Sequence, residues 1–577
     1  MLESRRALVA IASALAIATG TGCAGVPDHG TVHAGNVLPA GKNVSETQSR
    51  VLVHGPVPGA RPEEVVTGFL TASADPKPDH AIARSYLTAV AGRSWQPNAR
   101  AQVYDGSAAN SVGPARFSAG GRNVVLHVPL VATVGADGGY NVGAPGAQLR
   151  VDFHLVKQHG EWRIANPPAG LLLTPLDLTN SLNAQFVYFL NRDMSVVVPN
   201  TEFIFATAPG LATALMRALL RGPTTWLSPS VRTAIPVGTT LVGTVPVDDH
   251  GTATVNLSQE ALAATLAQRE QMSAQIVWTL GGIPNVNRIR VLVENSPLDV
   301  PSVGSPQTRD SWPTYDPSAL KPAAQGFYRS GDHIVTTSGA RLPGPLGSGQ
   351  TTLEDVAVSP DLAFVAGVHR SGSRTTVYTG AFGAPLHATY VVAAPVTPLS
   401  WDVSGELWTV QLSATPAVLL LRPGQPVLRI PAPSLAGLDV RSLRISRDGT
   451  RVALVTSTAS GAKLLIGRVS TTNDGALRLD GFRDPAPDLT DVGDPTWADA
   501  NTVLVLARTP GHGRTPWLVD VDGVKPTPVT TSGLNTYSGV AAAPGQALLA
   551  ESAGRIYQAT RGSWTPVGSG SAPSYPG

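Results

Sequence analysis

The chain has 577 residues, too many for one hydrophobic core, so it must divide into roughly two to four domains. Charged residues make up 14% and the formal net charge is +2, which excludes the strong electrostatic field that a nucleic-acid binder needs. The single cysteine rules out a disulfide within the chain, and 59 glycines with 49 prolines favour turns and short strands over long helices.

Met1 to Gly22 carries Arg5 and Arg6, then an apolar run from Ala7 to Ala18, then small residues. This is the three-part form of a secretory signal peptide, and the run is shorter than the roughly 20 residues that span a bilayer. Gly20, Thr21 and Gly22 lead straight into Cys23. The arrangement resembles a bacterial lipobox, with Gly20 where the family pattern usually has an aliphatic residue. The resemblance implies an S-diacylglycerol on Cys23, cleavage before it, and N-palmitoylation of the new amino terminus. The alternative is a secreted protein in which Cys23 has no special role. Ser4-Arg5-Arg6-Ala7-Leu8 also resembles a twin-arginine signal, so either export route is open. Residues 23–60 have no clear period and read as a flexible, lipid-anchored stalk.

Residues 61–180 form a first domain. Pro62-Glu63-Glu64 suits a helix start, and Val65, Val66, Phe69 and Leu70 fall on one face. Asp79 reads as the cap of a second helix. Strands are expected at Asn123 to Val134, Leu149 to Gln158 and Glu161 to Ala165, with His159-Gly160 as a turn. Helices followed by hairpins resemble an NTF2-type α+β fold. His154, His159 and Glu161 are close enough in sequence for a metal pair, but a half-exposed strand and a turn explain them as well.

Residues 184–301 form a second domain. Strands are expected at 184–190, 195–199, 201–205, 240–247, 252–257 and 286–293. Leu211, Leu215, Ala218 and Leu219 mark a helix ended by Gly222-Pro223. Ser258, with Glu260 and Ala261, starts another, and Ser273 to Leu280 fits a helix or a strand. The ordered motifs Ala218-Leu-Leu-Arg-Gly-Pro223, Ile235-Pro-Val-Gly-Thr239, Ala253-Thr-Val-Asn-Leu-Ser258 and Ala274-Gln-Ile-Val-Trp-Thr-Leu280 resemble a GerMN domain, an α/β module.

Residues 302–324, rich in Pro, Ser and Thr and containing Trp312, read as a linker. From 325 to 577 similar units recur: Val356-Ala-Val-Ser-Pro-Asp361, Leu399-Ser-Trp-Asp402, Leu443-Arg-Ile-Ser-Arg-Asp-Gly449, Pro495-Thr-Trp-Ala-Asp499 and Val540-Ala-Ala-Ala-Pro544. Their spacing is that of a four-stranded blade, and the repeats resemble a TolB-type β-propeller of five or six blades. A partial unit at Gly326 to Thr337 is placed to complete the ring. Trp401, Trp408, Trp497 and Trp517 suit packing between blades better than a sugar-binding surface. No phosphate-binding loop, His-Glu-x-x-His, Cys-x-x-Cys or Gly-x-Ser-x-Gly elbow occurs, so no catalytic, cofactor-binding or metal residues are assigned.

The whole order, lipobox, NTF2-like segment, GerMN domain and terminal propeller, resembles the LpqB family of actinobacterial lipoproteins. That resemblance implies a non-enzymatic protein on the extracytoplasmic face of the cell membrane. It also implies a partner, the extracellular domain of the sensor histidine kinase of the MtrAB two-component system, and a role in cell-wall homeostasis and division. A peptidoglycan-binding scaffold is the alternative. An envelope hydrolase is a third reading, and it requires acidic residues converging on the propeller axis with perturbed pKa values. Replacing the only thiol tests the anchor: Cys23→Ser is expected to move the protein from the membrane to the soluble fraction and abolish incorporation of a labelled fatty acid. Continued membrane retention with label would contradict it.

Overall fold

The computed structural model describes residues 53–577 apart from 76–78, 108–111, 119–120, 205–209, 319, 350–352, 460 and 525. The leader, Cys23 and most of the expected stalk lie outside the described residues. The last stalk residues are held against the first domain: the Tyr86 hydroxyl donates to the His54 carbonyl at 2.9 Å, and Gly59 N–H donates to Glu161 Oε2 at 2.9 Å.

Helix α1, Pro62–Ser73, starts as its sequence dictates, with Glu64 Oε2 accepting from Arg61 N–H at 2.8 Å. Val65, Val66, Phe69 and Leu70 are buried against the sheet. Phe69 meets Trp95 at 5.3 Å and Phe153 at 6.2 Å between ring centroids, so aromatic rings fill the space under the helix. The segment after Asp79 makes only Ala81–Ser85, and His80, in the left-handed region, occupies the cap position instead. The sheet runs β4 (Glu161–Ile164), β3 (Gln148–Gln158), β2 (Gly121–Val134), β1 (Ala101–Tyr104), β5 (Leu171–Leu173), with only β1 and β5 parallel. His159 and Gly160 take φ values of 53° and 85°, the pair of positive angles that a tight two-residue hairpin needs.

In the second domain, β6 (Asn183–Leu190) pairs antiparallel with β7 (Val197–Ile204). The two strands expected at 195–199 and 201–205 are thus one. Pro199 is tolerated because this two-stranded sheet leaves it at an edge, where no ladder N–H is required. Helix α2, Leu211–Arg221, buries Leu215, Met216 and Leu219 and stops at Gly222, whose φ is 103°. The strand expected at 240–247 is absent. Gly243 at φ 77° and Pro246, without an N–H, break the ladder, leaving isolated bridges Leu241–Leu257 and Val247–Ala253. Strand β8 (Thr252–Leu257) lies parallel to β9 (Arg288–Val293). The segment after Ser258 forms one short 3-10 turn, Gln259–Ala263. The ambiguous 273–280 stretch is the end of helix α3, Leu266–Leu280, which begins at a capping box between Thr265 and Gln268.

The first half of the Pro/Ser/Thr-rich segment is a strap on this domain. Trp312 is 4% exposed inside the second domain's core, and its indole N–H donates to Gln307 Oε1 at 3.0 Å. Arg309 lies over the rings of Trp278, at 4.8 Å, and Tyr188, at 5.6 Å.

The described residues of the remainder form six sheets. Blade 1 opens at Asp355–Val358, blade 2 at Ser400–Trp401, blade 3 at Asp439–Ile445, blade 4 at Thr496–Trp497 and blade 5 at Gly539–Ala541, each with four antiparallel strands. Blade 6 joins Ser571–Ser574 to Phe327–Ser330 and His333–Thr336. The Gly326 to Thr337 unit therefore closes the ring by pairing across nearly the full length of the propeller, which offsets the weakness of an open edge. The recurring Ser-x-Asp is a local brace. Ser359 Oγ donates to Asp361 Oδ1 at 2.6 Å and accepts from Phe364 N–H at 2.9 Å. Ser446 repeats both bonds with Asp448 and Arg451 at 2.5 and 2.9 Å.

Removing the buried indole tests the strap. Trp312→Ala is expected to cost about 3 kcal/mol, read as an early shift in the urea transition followed by far-UV circular dichroism. An unchanged transition would mean the segment is only a tether.

Candidate functional site

The tryptophans of the propeller are used up in packing. Trp401 and Trp408 are fully buried and Trp497 is 4% exposed. Trp401 stacks on Phe364 of blade 1 at 5.8 Å, and Trp497 of blade 4 donates to the Arg444 carbonyl of blade 3 at 3.2 Å. Trp517 is partly buried and donates to Thr515 Oγ1 at 3.1 Å. In the first domain His154 Nδ1 lies 2.9 Å from Asn123 Oδ1, His159 sits in its turn, and Glu161 holds Gly59, so each member of the suggested metal pair has a structural place. Among the described residues no three His, Cys, Asp or Glu side chains group as a metal site.

Two regions carry concentrated polar chemistry, one at each face of the propeller. On one face the turns between first and second strands meet the GerMN-like domain. Arg451 follows the Ser446–Gly449 turn and is 1% exposed. Its guanidinium donates to the Ala500 carbonyl of blade 4 at 2.7 Å and to the Pro199 carbonyl of β7. Arg468 donates to the Trp226 carbonyl, Trp226 donates through its indole to the Gly481 carbonyl at 2.7 Å, and Arg483 stacks on the Trp226 ring at 4.0 Å. Arg483 also reaches the first domain at the Tyr140 carbonyl, 3.4 Å away. Nearby, Arg192 and Arg422 both pair with Glu406, and Ser404 donates to Asp193 Oδ2 at 2.9 Å. Burial, with the Glu406 charge adding to it, pushes the Asp402 carboxyl well above the usual carboxylate range. A cavity of about 690 Å³ lies where the first domain, the second domain and blades 3 and 4 meet.

The opposite face opens into the axial funnel, a cavity of about 550 Å³ lined from all six blades. Its floor is Arg447, whose guanidinium donates to the carbonyls of Trp497 at 3.1 Å and Pro576 at 2.9 Å. Burial pulls that guanidinium down to about 10, with Asp499 opposing. Acidic residues do converge on the axis. Burial lifts the Asp355 carboxyl above its ordinary range, while Arg444 opposes the shift and Asp494 adds to it. The carboxylates are largely committed, however. Asp355 accepts from Leu399 N–H of blade 2 at 2.7 Å, Glu354 pairs with Arg370, and Glu551 accepts from Ala572 N–H at 2.8 Å. Arg329 and Arg514 also line this funnel, and Arg514 Nε has no hydrogen-bond partner among the described residues. These arginines and the face on which they sit were not legible in the sequence, because nothing in a strand's own residues says which blade it will face.

An α+β domain, an α/β domain and a six-bladed β-propeller held together by these contacts define a multidomain protein. Residues 55–179 match the family described as "Lipoprotein LpqB, N-terminal domain", 186–299 match "Sporulation and spore germination", and 333–576 match "Lipoprotein LpqB beta-propeller domain". The chain is 31% identical to lipoprotein LpqB of Thermobifida fusca (strain YX), with 100% of both chains covered. It is 30% identical to that of Streptomyces coelicolor, over 96% of this chain and 95% of the relative. A crystal structure of TolB from Acinetobacter baumannii aligns at 16% identity and TM-score 0.33, over 44% of this chain and 66% of that one. The chain belongs to the LpqB lipoprotein family, whose members are membrane-associated envelope proteins named for no catalytic activity. No helix among the described residues is long and apolar enough to cross a membrane.

The junction makes a pH prediction through Glu202, which is fully buried beside Arg221 and accepts from Asn200 Nδ2 at 2.9 Å. Burial raises its carboxyl to about 8, with Arg221 opposing and Asp137 reinforcing the shift. A carboxyl raised in the folded state binds its proton more tightly there than when unfolded. Its contribution is therefore complete below the ordinary carboxylate pKa and lost as pH rises through the folded value. The melting temperature is expected to fall between about pH 5 and about pH 9, and Glu202→Gln to flatten that slope. An unchanged slope would place the buried proton elsewhere.

Proposed function

We propose that this protein is a non-enzymatic accessory of the MtrAB two-component system, tethered to the extracytoplasmic face of the membrane through lipidated Cys23. In this reading it binds the extracellular domain of the sensor kinase and so influences cell-wall homeostasis and division. The observation that supports it most is the one-sided assembly of the propeller. One face is occupied by the other two domains, while the funnel face is open and carries the arginines Arg329 and Arg514. A rigid propeller face can supply the roughly 800 Å² that a standard protein interface buries on each partner. The commitment of Asp355, Glu354 and Glu551, three of the four carboxylates lining the funnel, to strand and blade contacts favours binding over hydrolysis.

The test is a pull-down from membranes with the mature chain and with the double variant Arg329→Glu, Arg514→Glu. The wild type is expected to recover the kinase saturably, and the variant, with its fold checked by circular dichroism, to recover it at least about tenfold less. Recovery of wall fragments without kinase by both proteins would replace this reading with the peptidoglycan-binding scaffold.

A further inference from the structure

Among the described residues, four buried polar atoms without a protein partner belong to side chains around one cavity, the roughly 690 Å³ space at the three-domain junction. They are Arg451 Nε, Arg483 Nε, Asn501 Oδ1 and Thr201 Oγ1. Arg451 is 1% exposed and Asn501 5% exposed, so bulk water does not explain how their polar atoms are satisfied. A buried polar group left unpaired forfeits about 1–3 kcal/mol, and such groups are normally few and scattered. Here four belong to residues around a single cavity. Other polar side chains around the cavity are engaged: Asp137 Oδ2 accepts from the N–H and hydroxyl of Thr225 at 2.8 Å each, and Arg468 pairs with Asp480 at 2.6 Å.

The orphans are two donors, one acceptor, and one hydroxyl that can do either. An oxyanion would satisfy the two N–H groups, but it would leave the Asn501 oxygen unmet and would face the Asp137 and Asp522 carboxylates. A cation would meet the opposite difficulty at Arg451, Arg468 and Arg483. Neutral hydroxyls both donate and accept, and a cluster of them matches all four atoms. Trp226 and Tyr140 add aromatic surface to the same cavity. The volume falls within the ordinary range for small-molecule sites, about 300–1,000 Å³, and far exceeds the roughly 30 Å³ share of a single water.

We propose that the junction binds a small neutral polyhydroxylated ligand, a mono- or disaccharide in chemical class. The inference is independent of the kinase reading. Because the cavity draws Asn200 and Thr201 from the GerMN domain, Tyr140 from the first domain and Arg483 from the propeller, occupancy and domain docking are thermodynamically coupled.

The experiment uses the mature full-length chain, with isothermal titration and Trp226-sensitive fluorescence as readouts. The probes are glucose, galactose, N-acetylglucosamine, maltose and inorganic phosphate. At least one sugar is expected to bind saturably below about 10 mM, and Asn501→Leu to weaken it about tenfold. Thr201→Val, which is nearly isosteric, is the second variant and is expected to weaken the same sugar with its melting temperature unchanged. Saturable binding of phosphate but of no sugar would overturn the proposal in favour of an oxyanion site. Binding of no probe would overturn it in favour of a cavity filled by water alone.

Discussion

The guanidinium of Arg451 is the constraint on which the architecture depends. It leaves the propeller immediately after the Ser-Arg-Asp-Gly turn of blade 3 and is 1% exposed. It holds the carbonyl of Ala500 in the next blade and the carbonyl of Pro199 in the neighbouring domain. Burying a cation costs several kcal/mol, recovered only if its hydrogen bonds are placed well. Burial accordingly pulls the pKa of Arg451 down, with Asp448, Asp522 and Asp499 opposing. Such a group contributes little net stability but is intolerant of displacement, because any shift of β7 leaves a charge unpaired. Arginine suits the task because its planar fork serves two acceptors at once. Arg192, Arg422 and Glu406 apply the same logic a blade away.

That constraint fixes what each face of the propeller can do. The face of first-to-second-strand turns is consumed by domain docking, through Asn191 to the Asp448 carbonyl at 3.4 Å as well as through the arginines. The strap around Trp312 then delivers the chain from the second domain to the ring with little freedom along its first half. Ring closure by Ser571–Ser574 on Phe327–Ser330 ties the end of the propeller to its start. The result is a body whose accessible chemistry is concentrated at the funnel and at the three-domain cavity.

Local features are legible in the sequence and non-local ones are not. Helix α1, the His159-Gly160 hairpin and the Ser-x-Asp turns follow from residues within a few positions of each other, and their signals are strong. The strand expected at 240–247 failed because Gly243 and Pro246 interrupt an otherwise β-prone run. The strap is hidden in the sequence because proline and serine content outweighs one informative residue, Trp312, whose burial depends on a pocket made by residues far away in sequence. Arg447, Arg451 and Arg483 look in sequence like ordinary strand and turn arginines. Their significance arises only when Trp497, Pro199 and Trp226 are brought to them by the fold. Cys23, read wholly from sequence, lies outside the described residues.

Buried arginines lock the second domain onto the propeller in one position. Because Cys23 is the only natural cysteine, a Cys23→Ser chain accepts paired spin labels cleanly. Labels at the exposed positions Arg217 and Asp474 would report the distance between the GerMN domain and blade 3 by pulsed electron resonance. One narrow distance distribution is expected, broadening when Arg451→Gln removes the shared guanidinium. A distribution already broad in the unmodified interface, or one that Arg451→Gln leaves unchanged, would contradict it.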